Sequence, residues 1–541
     1  MDTHEQRVVA FLSRPESYPH PAGKIQTRQT HVSHVFLAGD FAYKLKKPVK
    51  FPFLDASTVE LRKRYCEFEL SLNRRLAPDI YLGMEPIIDD HGALRLGGRV
   101  ATAPRHSIAA SAISGDGNAI DWVVKMRRLP EDRLMDKLVA RRRVTQADMR
   151  RLADRLMPFF RKAERGSKID HYGEPAQVRA LVLGNLDECR PFVGALLAEK
   201  DRVAIDAAYR QYLALHEPVL AERVRKGRII DGHGDLRCEN ICLTNPVNVF
   251  DCVEFQPAFR CGDIVNDLAF LIMDLEFRDR ADLAKVLVQR YRAGMRDSSF
   301  DAVLPLYKCH RTLVRGKVRA FAWQQHPDSA DGRRARSLSR KHFKLARRYA
   351  QALGRPKLIV VGGLIGSGKS TLARGLAETF GAEWLRSDEI RLTEFAHHRG
   401  QENGFADGIY SPKVSNQVYA RLIRRAQEVV RAGKSVVCDG TFSKHEGRSA
   451  LRQIARKMGA DFHFFECTVP RAVALKRVAA RAAAKSDISE ARPEHYDRLK
   501  AGFEPVRAWS KGDWTRISDD RAPEATLQAA LNVLRRCWSA R

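Results

Sequence analysis

The chain has 541 residues, too many for one ordinary hydrophobic core, so about two to four domains are expected. No apolar run approaches the ~20 residues needed to cross a bilayer, and the first twenty residues lack the apolar core of a secretion signal; a cytoplasmic protein without a membrane partner follows. Ten cysteines are scattered with no C-x-x-C pair, which excludes a disulfide framework or a zinc ribbon and points to reduced core thiols.

The net charge of +29 comes from 94 Lys and Arg against 65 Asp and Glu, spread along the whole chain. It fits a phosphate-rich ligand, a nucleic-acid partner or simply a basic surface. The densest cluster, RRARSLSRKHFKLARR at 333–348, has helical spacing and reads as a solvated helix face, with nucleic-acid contact left open.

In chain order, HVSHVFLAGDFAYKLKK (31–47) predicts a hairpin turning at Gly39-Asp40. The period-two alternation of a strand puts Lys44 and Lys46 on one face. A helix is expected at about 58–76, with Leu61, Tyr65, Phe68, Leu72 and Leu76 as its apolar stripe. Glu69 lies on or beside that stripe, where a carboxylate needs a cationic partner. A lysine on the neighbouring strand supplies one. Strands at 81–89 and 121–130 follow, then a mainly helical region to about 228.

The stretch RIIDGHGDLRCENICL (228–243), followed by NVFDCVEF (248–255), places Asp235 in a loop after an apolar strand. Asn240 comes five residues later, and Asp251 is delivered by the next hairpin strand. This is the order a phosphotransferase loop needs. One Asp takes the proton of the acceptor hydroxyl, while the Asn and the second Asp hold Mg²⁺ on the ATP phosphates. Asp263 and Asp267 in CGDIVNDLAFL read as structural groups that cap the following helix and fix the hairpin.

Residues 30–320 resemble the aminoglycoside phosphotransferase-like family, whose fold is that of protein kinases. HGDLRCEN resembles its catalytic-loop motif, VFDCVEF its metal-Asp segment and GDIVNDLA its downstream G-D-x-x-x-D-L-A element. The resemblance implies Asp235 as catalytic base, Asn240 and Asp251 as Mg²⁺ ligands, Lys44 on the α- and β-phosphates, and Glu69 as the partner of Lys44. The chain departs from the family pattern in two places. Cys-Val replaces the usual aromatic-Gly after Asp251, and no glycine-rich nucleotide loop precedes Val35, Gly23 being the only glycine between Met1 and Gly39.

Gly354-Arg355-Pro356 breaks the helical pattern, and the domain boundary is expected there, giving domains at 1–355 and 356–541. Directly after it the apolar run KLIVV leads into GGLIGSGKST (362–371), a match to the phosphate-loop pattern G-x-x-x-x-G-K-[ST] in the strand–loop–helix context that it needs. Gly363, Gly366, Ser367 and Gly368 let the backbone wrap a polyphosphate. Lys369 reaches its β- and γ-phosphates, Ser370 binds Mg²⁺, and Thr371 opens the helix whose positive end faces the anion. Further strands at about 381–388, 435–442, 461–469 and 514–518 alternate with helices, which predicts a doubly wound parallel sheet with ligands at the carboxyl ends of its strands. The fold expectation is therefore an α+β kinase-like region followed by an α/β P-loop domain.

The second domain resembles the small P-loop kinases grouped with polynucleotide 5′-kinase and zeta toxin, and more loosely gluconate kinase. Asp388-x-x-Arg391 matches their D-x-x-R element, which implies Asp388 as base and Arg391 near the reacting groups. Arg477 and Arg481 lie four apart on one face of the helix after the fourth strand, and could close over ATP. Asp439 occupies the Walker B position, as a metal-directed carboxylate or a turn cap. The leading expectation is two phosphotransferase domains, each using ATP and Mg²⁺ to phosphorylate a hydroxyl of a small molecule. The alternatives are a polynucleotide 5′-hydroxyl kinase in the C-terminal domain and an ATP-driven switch attached to a kinase-like domain.

Overall fold

The computed structural model describes residues 3–51, 54–97, 119–395, 408–484 and, with short interruptions, 494–538. The chain forms two compact units, 1–178 with 221–311, and 179–220 with 312–541. Among the described residues, no helix is long and apolar enough to cross a membrane.

Unit 1 opens with the helix Thr3–Leu12 and a six-stranded antiparallel sheet in the order β1-β2-β3-β8-β6-β7. Its strands are β1 (Gln26–Gln29), β2 (Ser33–Ala38), β3 (Phe41–Lys46), β6 (Tyr81–Asp90), β7 (Ala93–Leu96) and β8 (Ala119–Arg127), while β4 (Lys50–Phe51) and β5 (Leu54–Asp55) form a separate small ribbon. The expected hairpin is β2 and β3, with Val35 opposite Lys44 and Lys44 opposite Val124. Alternation sends Phe36, Tyr43, Leu45 and Val123 into one core with Val8 and Leu12 of the first helix. The opposite face packs Trp122, Val124 and Met84 against Cys66 and Leu70 of the helix Val59–Asn73. Lys44 and Lys46 point to that second face.

The helix Val59–Asn73 forms as expected, capped by Thr58, but its buried face is not the apolar stripe read from the sequence. Arg62, Cys66, Glu69, Leu70 and Asn73 are buried, whereas Phe68 is exposed. The face is rotated because its polar residues find partners that make burial affordable: Arg62 forms a fork on Asp121 at 2.9–3.1 Å, and Asn73 accepts from the Cys252 amide at 2.8 Å.

The rest of unit 1 contains β9 (Ile229–Asp231), paired with β12 (Cys261–Asp263), and the hairpin of β10 (Ile241–Cys242) and β11 (Asn248–Val249). The helix Ile264–Phe277 is buried from Ile264 to Leu275. It is apolar on most sides, as a helix at the centre of a core must be. Its buried Asp267 and Asp274 both hold loop backbone.

Unit 2 is built on a five-stranded sheet ordered β14-β15-β13-β16-β17, and every pairing is parallel. The strands are β13 (Lys357–Gly363), β14 (Glu383–Arg386), β15 (Val436–Asp439), β16 (Asp461–Thr468) and β17 (Trp514–Ser518). Both faces are covered. Leu358, Val360, Val436 and Phe464 pack with Val418, Leu422 and Leu451, whereas Ile359, Val361, Val437 and Phe465 pack with Leu372, Leu376 and Leu531. Ala214 and Leu215 join the second core. Nearby, Gln211 donates to Ser435 at 2.7 Å, and Arg535 donates to the Ala214 carbonyl at 2.9 Å. Part of the helix Glu199–Arg225, far ahead of the P-loop strand in the sequence, thus belongs to the packing of this sheet.

Candidate active sites

In unit 1 the helix Ile264–Phe277 works as a pedestal. The Asp267 carboxylate accepts the His233 amide at 2.5 Å and the Gly234 amide at 2.8 Å, and Asp274 accepts the Cys238 amide at 3.0 Å. These bonds fix the loop that carries Asp235. Asp263 caps the same helix through the Val265 amide at 2.8 Å and is gripped by the fully buried Arg223. Both Asp263 and Asp267 are therefore structural, as expected. Arg75 ties the end of the Val59–Asn73 helix to the loop, donating to the Asp231 carboxylate at 2.9 Å and the Gly232 carbonyl at 2.6 Å.

On this loop, Asn240 donates to the Asp235 carboxylate at 2.8 Å, so the two expected residues meet. Arg237 does too, forking onto both Asp235 oxygens at 2.6 and 2.8 Å. Sequence reading had assigned Arg237 no role, although it stands inside the motif. Asp251 follows β11 with a left-handed backbone, φ +60. A non-glycine residue in that region stores strain that neighbours must hold. Here the Tyr81 hydroxyl accepts the Asp251 amide at 3.2 Å, Asn73 accepts the Cys252 amide, and His233 accepts the Val253 amide at 3.1 Å.

The Lys44 ammonium bonds Glu69 and Asp251, each at 2.7 Å. The Lys46 ammonium bonds the other oxygen of Glu69 and also Glu254. Glu69 is fully buried, and Lys46 and Glu254 nearly so, but the Asp251 side chain is 48% exposed. Burial pushes the Glu69 carboxyl up, yet Lys44 and Lys46 outweigh it and hold it at about 2. Burial raises Glu254, with Lys46 pulling the other way. Both lysines stay protonated despite burial because the carboxylates surround them. Glu254 was not singled out in the sequence; its signal was a carboxylate three residues after Asp251 in an otherwise apolar strand end.

The turn between β1 and β2 has no glycine. Thr30 closes it, its hydroxyl accepting the Val32 and Ser33 amides at 3.3 and 3.0 Å. Any nucleotide here would meet side chains and a tight turn.

In unit 2 the loop after β13 is shaped by its glycines. Gly363 has φ +148, and a Cβ there would lie 2.5 Å from the Cys467 carbonyl; Gly366 has φ +76, and a Cβ would lie 2.4 Å from the Ala474 carbonyl. Gly368 caps the helix Lys369–Phe380, with Ser370 and Thr371 in its first turn. Lys369, Asp388 and Asp439 line one small polar recess with Arg386, Ser387, Gly440 and Thr441. The parallel register explains the meeting, because Val361 and Arg386 both pair with Asp439. Burial raises the Asp439 carboxyl, against Lys369 and a hydrogen bond from Ser370. Its Oδ1 is buried without a partner, as is the Ser367 hydroxyl.

Arg391 does not line the recess. It is buried, held by the Ile409 carbonyl and by Ser415 at 3.2 Å, and lies over the Tyr410 ring at 4.8 Å. Arg477 is half-buried on the helix Arg471–Ala484, whereas the Arg481 side chain lies outside the described residues. Beside the loop, Gly363–Ile365 and Ser367 border a cleft of about 360 Å³ whose walls include Tyr496, Phe503, Arg471, Lys500 and the Glu466–Arg516 pair. None of those wall residues stood out in the sequence.

The donor sets suit a hard cation. Asn240 and Asp251 offer an amide and a carboxylate oxygen, and Ser370 and Asp439 a hydroxyl and a carboxylate with one buried bare oxygen. Among the described residues, no group of three or more His, Cys, Asp or Glu is placed to hold a metal. Two oxygens per centre leave the remaining positions to phosphate and water, which is how Mg²⁺ is usually held.

Residues 358–506 match the family profile described as an AAA domain, so the C-terminal part is a P-loop domain. A gluconokinase from Sinorhizobium meliloti 1021 is similar over 35% of this chain and 96% of its own, at 19% identity and a TM-score of 0.28. A choline/ethanolamine kinase family protein from Mesorhizobium loti is similar over 64% of this chain and 100% of its own, at 13% identity and a TM-score of 0.35. The uncharacterized protein Rv2004c of Mycobacterium tuberculosis is 32% identical over 470 residues, which are 86% of this chain and 87% of that protein. With that identity over nearly the full length of both, the chain belongs to the same family as the mycobacterial Rv2004c.

Proposed function

We propose that the protein is a cytoplasmic, ATP-dependent phosphotransferase with two kinase-like centres, each moving the γ-phosphoryl of ATP to a hydroxyl of a small molecule. The sequence divides them as an aminoglycoside phosphotransferase-like domain at 1–355 and a doubly wound P-loop kinase domain at 356–541, of the kind grouped with polynucleotide kinase and zeta toxin. The observation that carries the reading is the recess where Lys369, Asp388 and Asp439 converge at the mouth of the P-loop.

Mg²⁺, when bound, neutralises charge on the β- and γ-phosphate oxygens. In unit 2 the loop amides cradle the phosphates, Lys369 binds the transferring group, Ser370 and Asp439 would hold the cation, and Asp388 takes the acceptor proton. In unit 1, Lys44 binds phosphate oxygens while Glu69 orients it, Asn240 and Asp251 would hold the cation, and Asp235 takes the acceptor proton. In each, the acceptor oxygen forms the new O–P bond as the bond to the bridging oxygen breaks and ADP leaves. Arg237 forks onto Asp235 and also bonds Glu239, so in that step Asp235 exchanges one of its bonds to Arg237 for one to the acceptor hydroxyl. Arg477 and Arg481 are assigned to charge stabilisation around the P-loop, and Arg391, which bonds the Ile409 carbonyl and Ser415, to holding the segment at 409–415.

The test is a screen of full-length protein with γ-labelled ATP and Mg²⁺ against pooled sugars, aminoglycosides, nucleosides and 5′-hydroxyl oligonucleotides, beside Asp235→Ala and Asp388→Ala. A labelled small product lost in one variant assigns the acceptor to that unit. Hydrolysis alone, unchanged in both variants, sinks the reading in favour of an ATP-driven switch. The cleft beside the P-loop sets Tyr496 and Phe503 among Arg471, Lys500 and Arg516, and aromatics among cations favour a second reading, a polynucleotide 5′-hydroxyl kinase. Labelled oligonucleotide lost only with Asp388→Ala, with binding that falls steeply with salt, selects it.

A further inference from the structure

We propose that Lys46 and Glu254 are positioning residues of the unit 1 centre. Together they tether the segment that carries Asp251 to the Lys44–Glu69 pair and keep Glu69 compensated when Lys44 also binds phosphate. The inference rests on the reading of unit 1 as a phosphotransferase centre.

The side chains form a closed ring. Asp251 accepts from Lys44, Lys44 donates to Glu69, Glu69 accepts from Lys46, Lys46 donates to Glu254, and Glu254 returns through three residues of backbone to Asp251. The charges are not evenly placed. Two lysines balance the two buried carboxylates, Glu69 and Glu254, and the third carboxylate, Asp251, is the exposed one. The ring thus neutralises its buried part and leaves its one surplus negative charge facing outward, where a cation and phosphates would arrive.

A single lysine suffices to pair a single buried glutamate, so the second pair needs a reason. Taking two more charges out of water brings little net stability, since the desolvation penalty rivals the attraction. Geometry supplies the reason. With Lys44 alone, Glu69 would share its only counter-charge with phosphate whenever Lys44 bonded both, and it would hold Lys44 back. With Lys46 bonded to its second oxygen, Glu69 retains a counter-charge throughout. Glu254 then fixes how far the strained Asp251 segment stands from that anchor. The amides that follow Asp251 bond Asn73 and His233, so the segment is held from three sides.

The test uses the full chain carrying Lys369→Ala, which silences the P-loop. Three quantities are read: melting temperature, amide exchange at Cys252 and Val253 in metal-free protein, and the Mg²⁺ concentration for half-maximal binding of methylanthraniloyl-ATP. The double variant Lys46→Met with Glu254→Leu replaces the buried pair by apolar groups of similar size, which often preserves stability. It is expected to melt within a few degrees of its parent, to exchange about tenfold faster at Cys252 and Val253, and to need about tenfold more Mg²⁺, the scale for groups that orient metal ligands. Glu254→Gln, which keeps shape and a hydrogen-bond acceptor, is the second variant and shifts the Mg²⁺ requirement in the same direction. A double variant with parental exchange and parental Mg²⁺ dependence overturns the proposal and leaves the pair a packing device. If Asp251→Asn in the same background leaves the Mg²⁺ dependence unchanged, the phosphotransferase reading of unit 1 falls, and this inference with it.

Discussion

The two candidate centres manage charge in opposite ways. In unit 1 the groups that would meet Mg²⁺-ATP are already paired with one another: Lys44 with Glu69 and Asp251, and Asp235 with Arg237 and Asn240. In unit 2 the cradle is mostly backbone, and its side-chain atoms are partly bare, with Asp439 Oδ1 and the Ser367 hydroxyl buried and unpartnered. A side-chain centre must exchange internal bonds for ligand bonds, so its geometry is set by a network. A backbone centre needs only the right loop conformation, so its geometry is set by where a Cβ cannot fit.

That contrast is most sharply tested by activity. Asp235→Ala removes the proposed base of unit 1 and is expected to cost about 10²–10⁴-fold in the transfer that unit performs, without touching the other. Lys369→Ala is expected to cost about 10²–10³-fold in unit 2, as loss of one preorganised charge does. Each is read as labelled product per unit time with saturating acceptor. If one substitution silences both transfers, the two centres are not independent catalysts.

Stability separates the centres next. Glu69→Ala leaves Lys44 and Lys46 buried without their shared carboxylate, and losing one partner of a buried ionic network costs about 3–5 kcal/mol. Chemical denaturation should show it as a lower midpoint. Lys369→Ala, on a half-buried lysine in an open recess, should stay within about 0.5 kcal/mol. Equal losses for the two lysine-centred sites would erase the distinction. The backbone side of the comparison is probed by Gly366→Ala. The left-handed φ and the close Ala474 carbonyl predict a loss of about 1–3 kcal/mol, and nucleotide binding by unit 2 should fall with it, although no phosphate-binding side chain has been removed.

The same contrast decides what could be read in advance. The P-loop was legible because its requirement is local: glycines where the backbone must be left-handed, then Lys and Ser at fixed spacing. The meetings of Asn240 with Asp235 and of Lys44 with Glu69 were legible too, through short fixed spacing in one loop, strand alternation and one carboxylate out of place on a helix. The buried face of that helix was misread because Arg62, Glu69 and Asn73 are buried on partners as distant as Asp121 and Cys252, and hydrophobic periodicity has no term for a satisfied polar group. Glu254 and Arg237 stood inside quoted motifs but gained meaning only from long-range partners or a side-chain fork. The contribution of Ala214 and Leu215 to the P-loop sheet was invisible, since nothing local marks which sheet an amphipathic helix will cover.

The last expected effect concerns acid. His463, on β16 at the heart of unit 2, is wholly buried between the Gly512 carbonyl and the Thr515 hydroxyl, both at 3.1 Å. Burial pushes its imidazole down from 6.5 to about 4. The unfolded chain therefore binds a proton near pH 6.5, and the folded chain does not until about pH 4. Stability from the neutral ring is fully present above about pH 6.5 and is lost as the pH falls towards 4, by about 1 kcal/mol at pH 5.5. Glu69 behaves in the same sense at lower pH: its carboxyl, held at about 2, contributes stability above about 4.5 that is lost as pH falls towards 2. Denaturation midpoints followed from pH 7.5 to 5.5 should thus decline in the parent protein and decline less in His463→Asn, whose side chain does not titrate. The informative quantity is the difference in slope, because the substitution also changes packing at every pH. Parallel slopes would mean that the ring takes up its proton in the folded state and that the enclosure around β16 is looser than its hydrogen bonds imply.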